Sequence, residues 1–278
     1  MLGRRTLVLL VGASLLGPLA QAADTVDAAD AQRALDLHLG ASVLRFDFRE
    51  LADSGEQLVR ERGVLPGVLG GVGQTLGRWR WSAELSYYAG SVQYDGQTQS
   101  GASFETRTDT TLAKIRARAL RLLDAEGRFA AGFGLGYRQW QRQIRGRGSV
   151  SGLDERFAAG DVSAEARLSV LRSEAATLDV DLQAAWPLRP QVKVDFGGLF
   201  DTRTLLLGPR LAGRVSVPAS WPTGPGSRLI VEPGFEAWGF GRSSTETLYR
   251  DGVPVGVVYQ PQGKGYNLDL KLLWVQTF

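Results

Sequence analysis

From residue 35 onward the chain alternates apolar and polar side chains over stretches of about ten residues, the period-two pattern of β-strands. The stretch from Thr177 to Leu188 shows it best. Leu178, Val180, Leu182, Ala184 and Trp186 share one face, with Asp179, Asp181, Gln183 and Ala185 on the other. A helix would scatter both sets around its surface. The same division predicts strands in which Leu35 to Val43 oppose Asp36, His38, Gly40 and Ser42, and Trp79 to Tyr87 oppose Arg80, Glu84 and Ser86. Ala113 to Ala119 oppose Lys114, Arg116 and Arg118, and Phe129 to Tyr137 oppose Ala130, three glycines and Arg138. Val162 to Val170 oppose Glu165, Arg167 and Ser169. Leu205, Leu207, Leu211, Val215 and Val217 oppose Arg210 and Arg214, and Leu229 to Ala237 oppose Glu232 and Glu236. Leu268 to Trp274 oppose Asp269, Lys271 and Leu273, and Val64, Val68 and Val72 oppose a row of glycines.

These ten segments predict an all-β fold, a closed antiparallel transmembrane β-barrel with a charged lumen, with eight or twelve strands as alternatives. An even count lets a barrel close without leaving an open edge in lipid. Short links at Leu76–Arg78, Asp124–Gly127 and Arg172–Ala176 are expected at the periplasmic end, with a longer one at Pro218–Ser227. Longer links at 51–57, 95–106, 146–156, 189–202 and 243–260 are expected to face outward, the last as a hairpin turning at Arg250-Asp251-Gly252.

The N-terminus has a different character. Arg4 and Arg5 precede an apolar run of 15 residues, Thr6 to Ala20, and Ala20-Gln21-Ala22 supplies small residues for cleavage. A spanning helix needs roughly 20 residues, so this is the pattern of a cleaved secretory signal, residues 1–23, ahead of one domain at 24–278. The chain has no cysteine, which excludes disulfides, thiolate metal sites and a lipidated cysteine. Removing Arg4 and Arg5 leaves 30 basic against 29 acidic side chains, a balance of +1 that gives no electrostatic case for nucleic acid.

At the other end, Leu270, Leu272, Trp274 and Phe278 place apolar and aromatic residues at alternate positions up to a terminal aromatic. This resembles the barrel-assembly signal of outer-membrane proteins, from which Gln276 departs. Phe46-Asp47-Phe48-Arg49-Glu50, then Glu61-Arg62-Gly63-Val64-Leu65-Pro66-Gly67 and Tyr94-Asp95-Gly96-Gln97-Thr98-Gln99-Ser100-Gly101 resemble blocks of uncharacterised outer-membrane barrel proteins of proteobacteria. The resemblance covers the first third of the chain. It implies the cell outer membrane of a Gram-negative bacterium and the barrel fold, and carries no activity.

The charges opposite the lipid face predict a lumen ion-pair network. Its members are Asp36, His38, Glu84, Arg116, Arg118, Glu165, Arg167, Asp179, Asp181, Arg210, Arg214, Glu232, Glu236, Asp269 and Lys271. Closure of the last strand on the first is expected to bring Asp36 and His38 beside Asp269 and Lys271. Unpaired charges in a dry lumen would cost several kcal/mol each, whereas solvated pairs contribute about 1 kcal/mol or less. The glycine faces of the second and fifth strands leave room for neighbouring arginines. Ten strands enclose a narrow lumen, so a plugged interior is expected rather than the polar pore of a larger porin.

Candidate chemistry is sparse. His38 is the sole histidine and would suit a general base beside Asp36, but no nucleophile accompanies it, and its place low in the first strand makes it a lumen residue. Asp179 and Asp181 face the same way, with Arg167, Arg210 and Arg214 as expected partners. No spacing suits a metal, and the glycines from Gly67 to Gly77 lack the Lys-Ser or Lys-Thr of a phosphate loop. Trp140 with Arg138, Arg142, Arg145 and Arg147 is either a basic rim for lipopolysaccharide phosphates or, more simply, a solvated loop stem. The expected function is non-enzymatic: structural, surface-interacting or small-solute. The alternative is a hydrolase acting on lipid or peptide at the outer rim. No catalytic, cofactor or metal residue is assigned. Expected partners are outer-membrane lipid, lipopolysaccharide and the assembly machinery, with the chain a monomer.

Overall fold

A computed structural model describes residues 34–97 and 101–278; the expected signal segment, 1–23, lies outside the described residues. The strands are β1 (Leu35–Leu51), β2 (Gln57–Leu76), β3 (Trp79–Gln97), β4 (Ser103–Leu122), β5 (Phe129–Ile144), β6 (Leu153–Arg172) and β7 (Thr177–Asp195). There follow the short pieces β8 (Arg203–Leu206), β9 (Gly208–Pro209), β10 (Ala212–Ser216) and β11 (Ala219–Gly224), then β12 (Ser227–Gly241). A separate hairpin, β13 (Glu246–Arg250) and β14 (Val253–Val258), precedes β15 (Gln262–Thr277).

Each long strand pairs antiparallel with the next from β1 to β7, and the pieces β8–β11 together bridge β7 and β12 as one broken strand. β12 pairs with β15, and β15 pairs with β1 from Asp36↔Thr277 to Leu51↔Gln262. The result is the expected closed barrel of ten staves. Leu35 N donates to Phe278 O at 3.1 Å and Phe278 N to Leu35 O at 2.9 Å, so the two ends of the described sheet lock together.

The faces fall as the alternation predicts, with one exception. Leu39, Val64, Val68, Leu135, Leu182, Leu268 and Leu272 are exposed outward, and Trp81, Phe129, Trp221 and Trp274 mark one edge of this apolar belt. Tyr87, Tyr137, Trp186 and Tyr266 mark the other, giving the two aromatic girdles of a lipid-spanning barrel. The exception is the broken strand. Leu205 and Leu207 are buried inside while Leu206, Leu211 and Val215 face out. The two-residue β9 interrupts the alternation, and a one-residue slip exchanges the faces.

The strands are also longer than expected. β3 and β4 reach Gln97 and Ser103, and β7 reaches Asp195, so much of the predicted outer loops is sheet. Above Val43, Val64 and Tyr137 the outward positions become Arg45, Arg62 and Gln139 while the ladders continue. The barrel therefore stands clear of the lipid belt on its outer side. Its last hairpin turns at Asp251 and Gly252, with φ of 50° and 75°. That is the mirror-image turn geometry that matches strand twist.

Candidate functional site

The lumen is stacked in layers, each set by the inward residues of the strands. At the periplasmic end is an open vestibule of about 730 Å³ lined by Asp36, His38, Arg80, Arg167 and Arg172 among others. Asp36 accepts from Arg228 at 2.6 Å and from Thr277 Oγ1 at 2.5 Å. His38 Nε2 lies 3.9 Å from Glu84 Oε2. The β1–β15 register sets Asp36 and His38 opposite Thr277 and Val275, and Lys271 and Asp269 opposite Ser42 and Leu44. The expected adjacency of the two pairs is thus displaced along the strand, a quantity alternation does not define.

From the vestibule wall upward, charges from facing strands interlock. Arg167 donates to both oxygens of Asp181 at 2.6 Å, and Arg118 adds a third bond at 3.0 Å. Asp179 accepts from Ser169 Oγ at 2.6 Å, with Arg167 3.8 Å away. Arg116 Nη2 sits 2.7 Å from Glu165. Lys271 donates to Glu84 at 2.8 Å and lies 3.4 Å from Glu232. Arg214 takes both oxygens of Asp269 at 2.6 and 2.9 Å and reaches Glu232 at 3.2 Å. Glu236 accepts from Lys114 at 2.6 Å, from Asn267 at 2.8 Å and from Arg138. Arg210 departs from expectation: it donates to Gln262 Oε1 at 2.5 Å, not to a carboxylate. Nor does Arg210 or Arg214 pair with Asp179 or Asp181; Arg118 and Arg167 do. Lys114, Arg138 and Arg228 are lattice members that the sequence list omits.

Glycine makes the lattice possible, though not by housing arginines as expected. A Cβ on Gly71 would collide with His38, one on Gly134 with Glu165, and one on Gly136 with Asp161. Only at Gly234, on β12, does an arginine, Arg214, use the space among these positions.

The next layer is apolar. Trp140 stacks on Phe157 with ring centroids 4.5 Å apart and meets Phe48 edge-on at 4.7 Å; Phe240 lies 5.2 Å from Phe157. Phe46, Leu65, Leu112, Val192 and Leu205 complete this buried core inside the barrel. Arg138 lies 4.7 Å from the Trp238 ring on the lattice side, and Arg142 lies 5.4 Å from the Trp140 ring. This overturns the basic rim. Trp140 and Arg142 are 1% and 2% exposed, because the alternation of β5 continues inward past Arg138. Arg145 and Arg147 do lie outside, Arg145 bonded to Asp109 at 2.7 Å.

Beyond the aromatic layer, in the extension above the lipid belt, Arg142 is held by three acids. It donates to Glu50 and Glu155 at 2.5 Å each and lies 3.8 Å from Glu61. Thr108 donates to Glu61 at 2.8 Å and Gln260 to Glu50 at 2.9 Å. One guanidinium cannot neutralise three carboxylates. Burial pushes Glu155 up to about 7 and raises Glu61 as well, with Arg142 opposing both shifts. Mid-lumen cavities are about 100 and 80 Å³, far smaller than the vestibule. The lumen is closed by ion pairs below and aromatic rings above.

No protein-family model matches the chain, and no curated protein matches it. Solved structures do. The outer membrane protease OmpT from Escherichia coli aligns with a TM-score of 0.57 at 14% identity, covering 88% of this chain and 96% of OmpT. The translocator domain of the autotransporter NalP from Neisseria meningitidis aligns at 0.42 and 11% identity, covering 85% and 87%. The toluene transporter TodX of Pseudomonas putida aligns at 0.32 and 8%, covering 87% and 89%. At such identities the OmpT likeness concerns the fold. Together with the apolar belt and its aromatic edges, it makes this chain an outer-membrane β-barrel with an ion-paired lumen.

Proposed function

We propose that this chain is a non-enzymatic, non-conducting outer-membrane barrel that acts at the cell surface through its outer extension, in a structural or surface-interaction role. One observation carries this reading: an aromatic layer and an ion-pair lattice lie in series across the lumen, with gaps between them of only about 100 and 80 Å³. A solute would have to break both. The hydrolase alternative needs reactive groups within reach of a surface substrate. The inward-facing acids of the outer half, Glu50, Glu61 and Glu155, are instead committed to Arg142 with side chains 7%, 0% and 5% exposed. His38 lies at the opposite end.

In this reading residues 1–23 direct export and are removed. The outward residues Leu270, Leu272, Trp274 and Phe278 are recognised by the assembly machinery. The mature barrel works as a monomer among outer-leaflet lipid and lipopolysaccharide. Planar-bilayer recording of the purified barrel tests the central claim: no steady conductance is expected, and a stable open channel would overturn it.

A further inference from the structure

The outward face just above the lipid belt is not uniform. Arg45 stands opposite Leu268 of β15 and Val64 of β2, both lipid-facing. Asp47, two residues on, lies opposite Tyr266 and Arg62, and Arg49 opposite Lys264 and Arg60. Strands rise about 3.4 Å per residue and tilt by about 40°, so these rows stand about 5 Å apart along the membrane normal. They occupy the depth where headgroups begin.

Cross-strand neighbours of like charge destabilise a sheet, yet Lys264, Arg49 and Arg60 form a continuous cationic row across three strands. Two outward acids touch this row: Asp47 is taken by Arg60 at 2.5 Å and Arg49 at 3.3 Å, and Asp95 on β3 stands opposite Arg60, leaving five bases against two acids. Arg45, Arg62 and Lys264 are exposed, and their side chains have no hydrogen bond or ion pair among the described residues. Elsewhere at this height outward acids and bases balance, with Glu105 and Asp109 beside Arg107 and Arg145, and the Asp154–Asp195 pair next to the Arg156–Lys193 pair. The basic excess is confined to β15, β1 and β2. It repels itself, and an external anion at the membrane surface would relieve it.

We infer that the outward cluster of Arg45, Arg49, Arg60, Arg62 and Lys264 binds the phosphorylated headgroup of the outer-leaflet glycolipid, lipopolysaccharide, with its acyl chains on Val43, Val64 and Leu268. Guanidinium groups suit phosphate through paired, charge-assisted bonds. The apolar row directly below supplies what a lipid requires and a soluble anion does not. This assignment rests on the surface-barrel reading, which heat-modifiable gel mobility and outer-membrane fractionation check independently of any lipid.

The test is native mass spectrometry of the detergent-extracted barrel offered bisphosphorylated lipid A, dephosphorylated lipid A or phosphatidylglycerol. Wild-type protein is expected to retain the bisphosphorylated form at least about tenfold better than either other lipid. R45Q/R62Q/K264Q is expected to lose that preference, while R107Q/R156Q/K193Q keeps it. Excess inorganic phosphate is expected to leave binding intact. Equal retention of the dephosphorylated lipid, an unaffected triple variant, or equal retention of phosphatidylglycerol would each overturn the assignment. Displacement by free phosphate would assign the patch to a soluble anion and overturn it too. The substituted side chains are exposed and unpaired, so mobility should not change. Should the triple variant fail to assemble, the single variants must show the same loss.

Discussion

Arg142 on β5 donates to Glu50 on β1 at 2.5 Å, a bond that crosses the lumen between strands that share no ladder. Such a bond fixes the cross-section of the barrel in a way that neighbouring-strand bonds cannot. It also buries one cation among three acids, which sets up an asymmetric response to mutation. R142M would strand Glu50, Glu61 and Glu155 in an apolar surrounding and is expected to cost about 3–5 kcal/mol. Replacing the whole set, as E50Q/E61Q/R142M/E155Q, should recover much of that loss, because no uncompensated charge remains. Urea unfolding in lipid–detergent micelles measures both. A quadruple variant no more stable than R142M would contradict this account.

The same cluster predicts a pH dependence with a defined sign. Glu155 sits above the lipid belt and is pushed by burial from 4.5 up to about 7. Its folded value exceeds its unfolded one, so its favourable contribution is complete below about 4.5 and is lost as pH rises toward about 7. Over that window the thermal midpoint of the wild type should fall relative to E155Q, which has no carboxyl to ionise there. Parallel profiles for the two proteins would place the shared proton on another group.

What alternation encodes and what it omits can be traced to particular residues. Leu268, Leu270, Leu272 and Trp274 face lipid and Asp269 and Lys271 face inward, because a strand's two faces follow from residue parity alone. Closure of β15 on β1 follows from the need to leave no edge in lipid. Register does not follow, which is why Asp36 meets Arg228 and Thr277 rather than Lys271. Nor does strand length. Trp140 and Arg142 continue the inward parity of β5, but their polar, aromatic character resembles a loop stem when the strand is assumed to end with the membrane. The buried aromatic layer was equally hidden. Phe46 and Phe48 alternate with Asp47 and Arg49, and composition does not say that the charged side of this stretch faces water above the lipid.

Glycines on the fifth strand offer a graded test of lumen packing. At Gly132 an added Cβ would press on the Ala119 carbonyl and backbone, which cannot move without breaking the β4–β5 ladder. At Gly136 the three nearest atoms all belong to the Asp161 side chain. G132A is therefore expected to destabilise by about 1–3 kcal/mol with no simple rescue. G136A should cost less, and D161A should relieve it. Micelle unfolding of G132A, G136A, D161A and the two double variants decides the matter; rescue of G132A by D161A, or none of G136A, would show that the lumen relaxes in a different way.

Phe278 combines two roles that substitution can separate. Its backbone closes the barrel through the paired bonds with Leu35, while its side chain is 70% exposed on the lipid side. F278A keeps both backbone bonds and removes only the aromatic ring. In vitro folding into lipid micelles should then match wild type, whereas the amount assembled in cells should fall, since in the proposed reading the ring is what the assembly machinery reads. Deleting Phe278 removes the ring and the two closing bonds together, so it should impair folding in both settings. Two hydrogen bonds at about 1 kcal/mol each set the scale of the in vitro difference. If F278A folds poorly in micelles, the exposed ring contributes to barrel stability itself. If F278A assembles normally in cells, recognition rests on Trp274 and the alternating leucines, and the terminal aromatic serves only as the last rung of the closing strand.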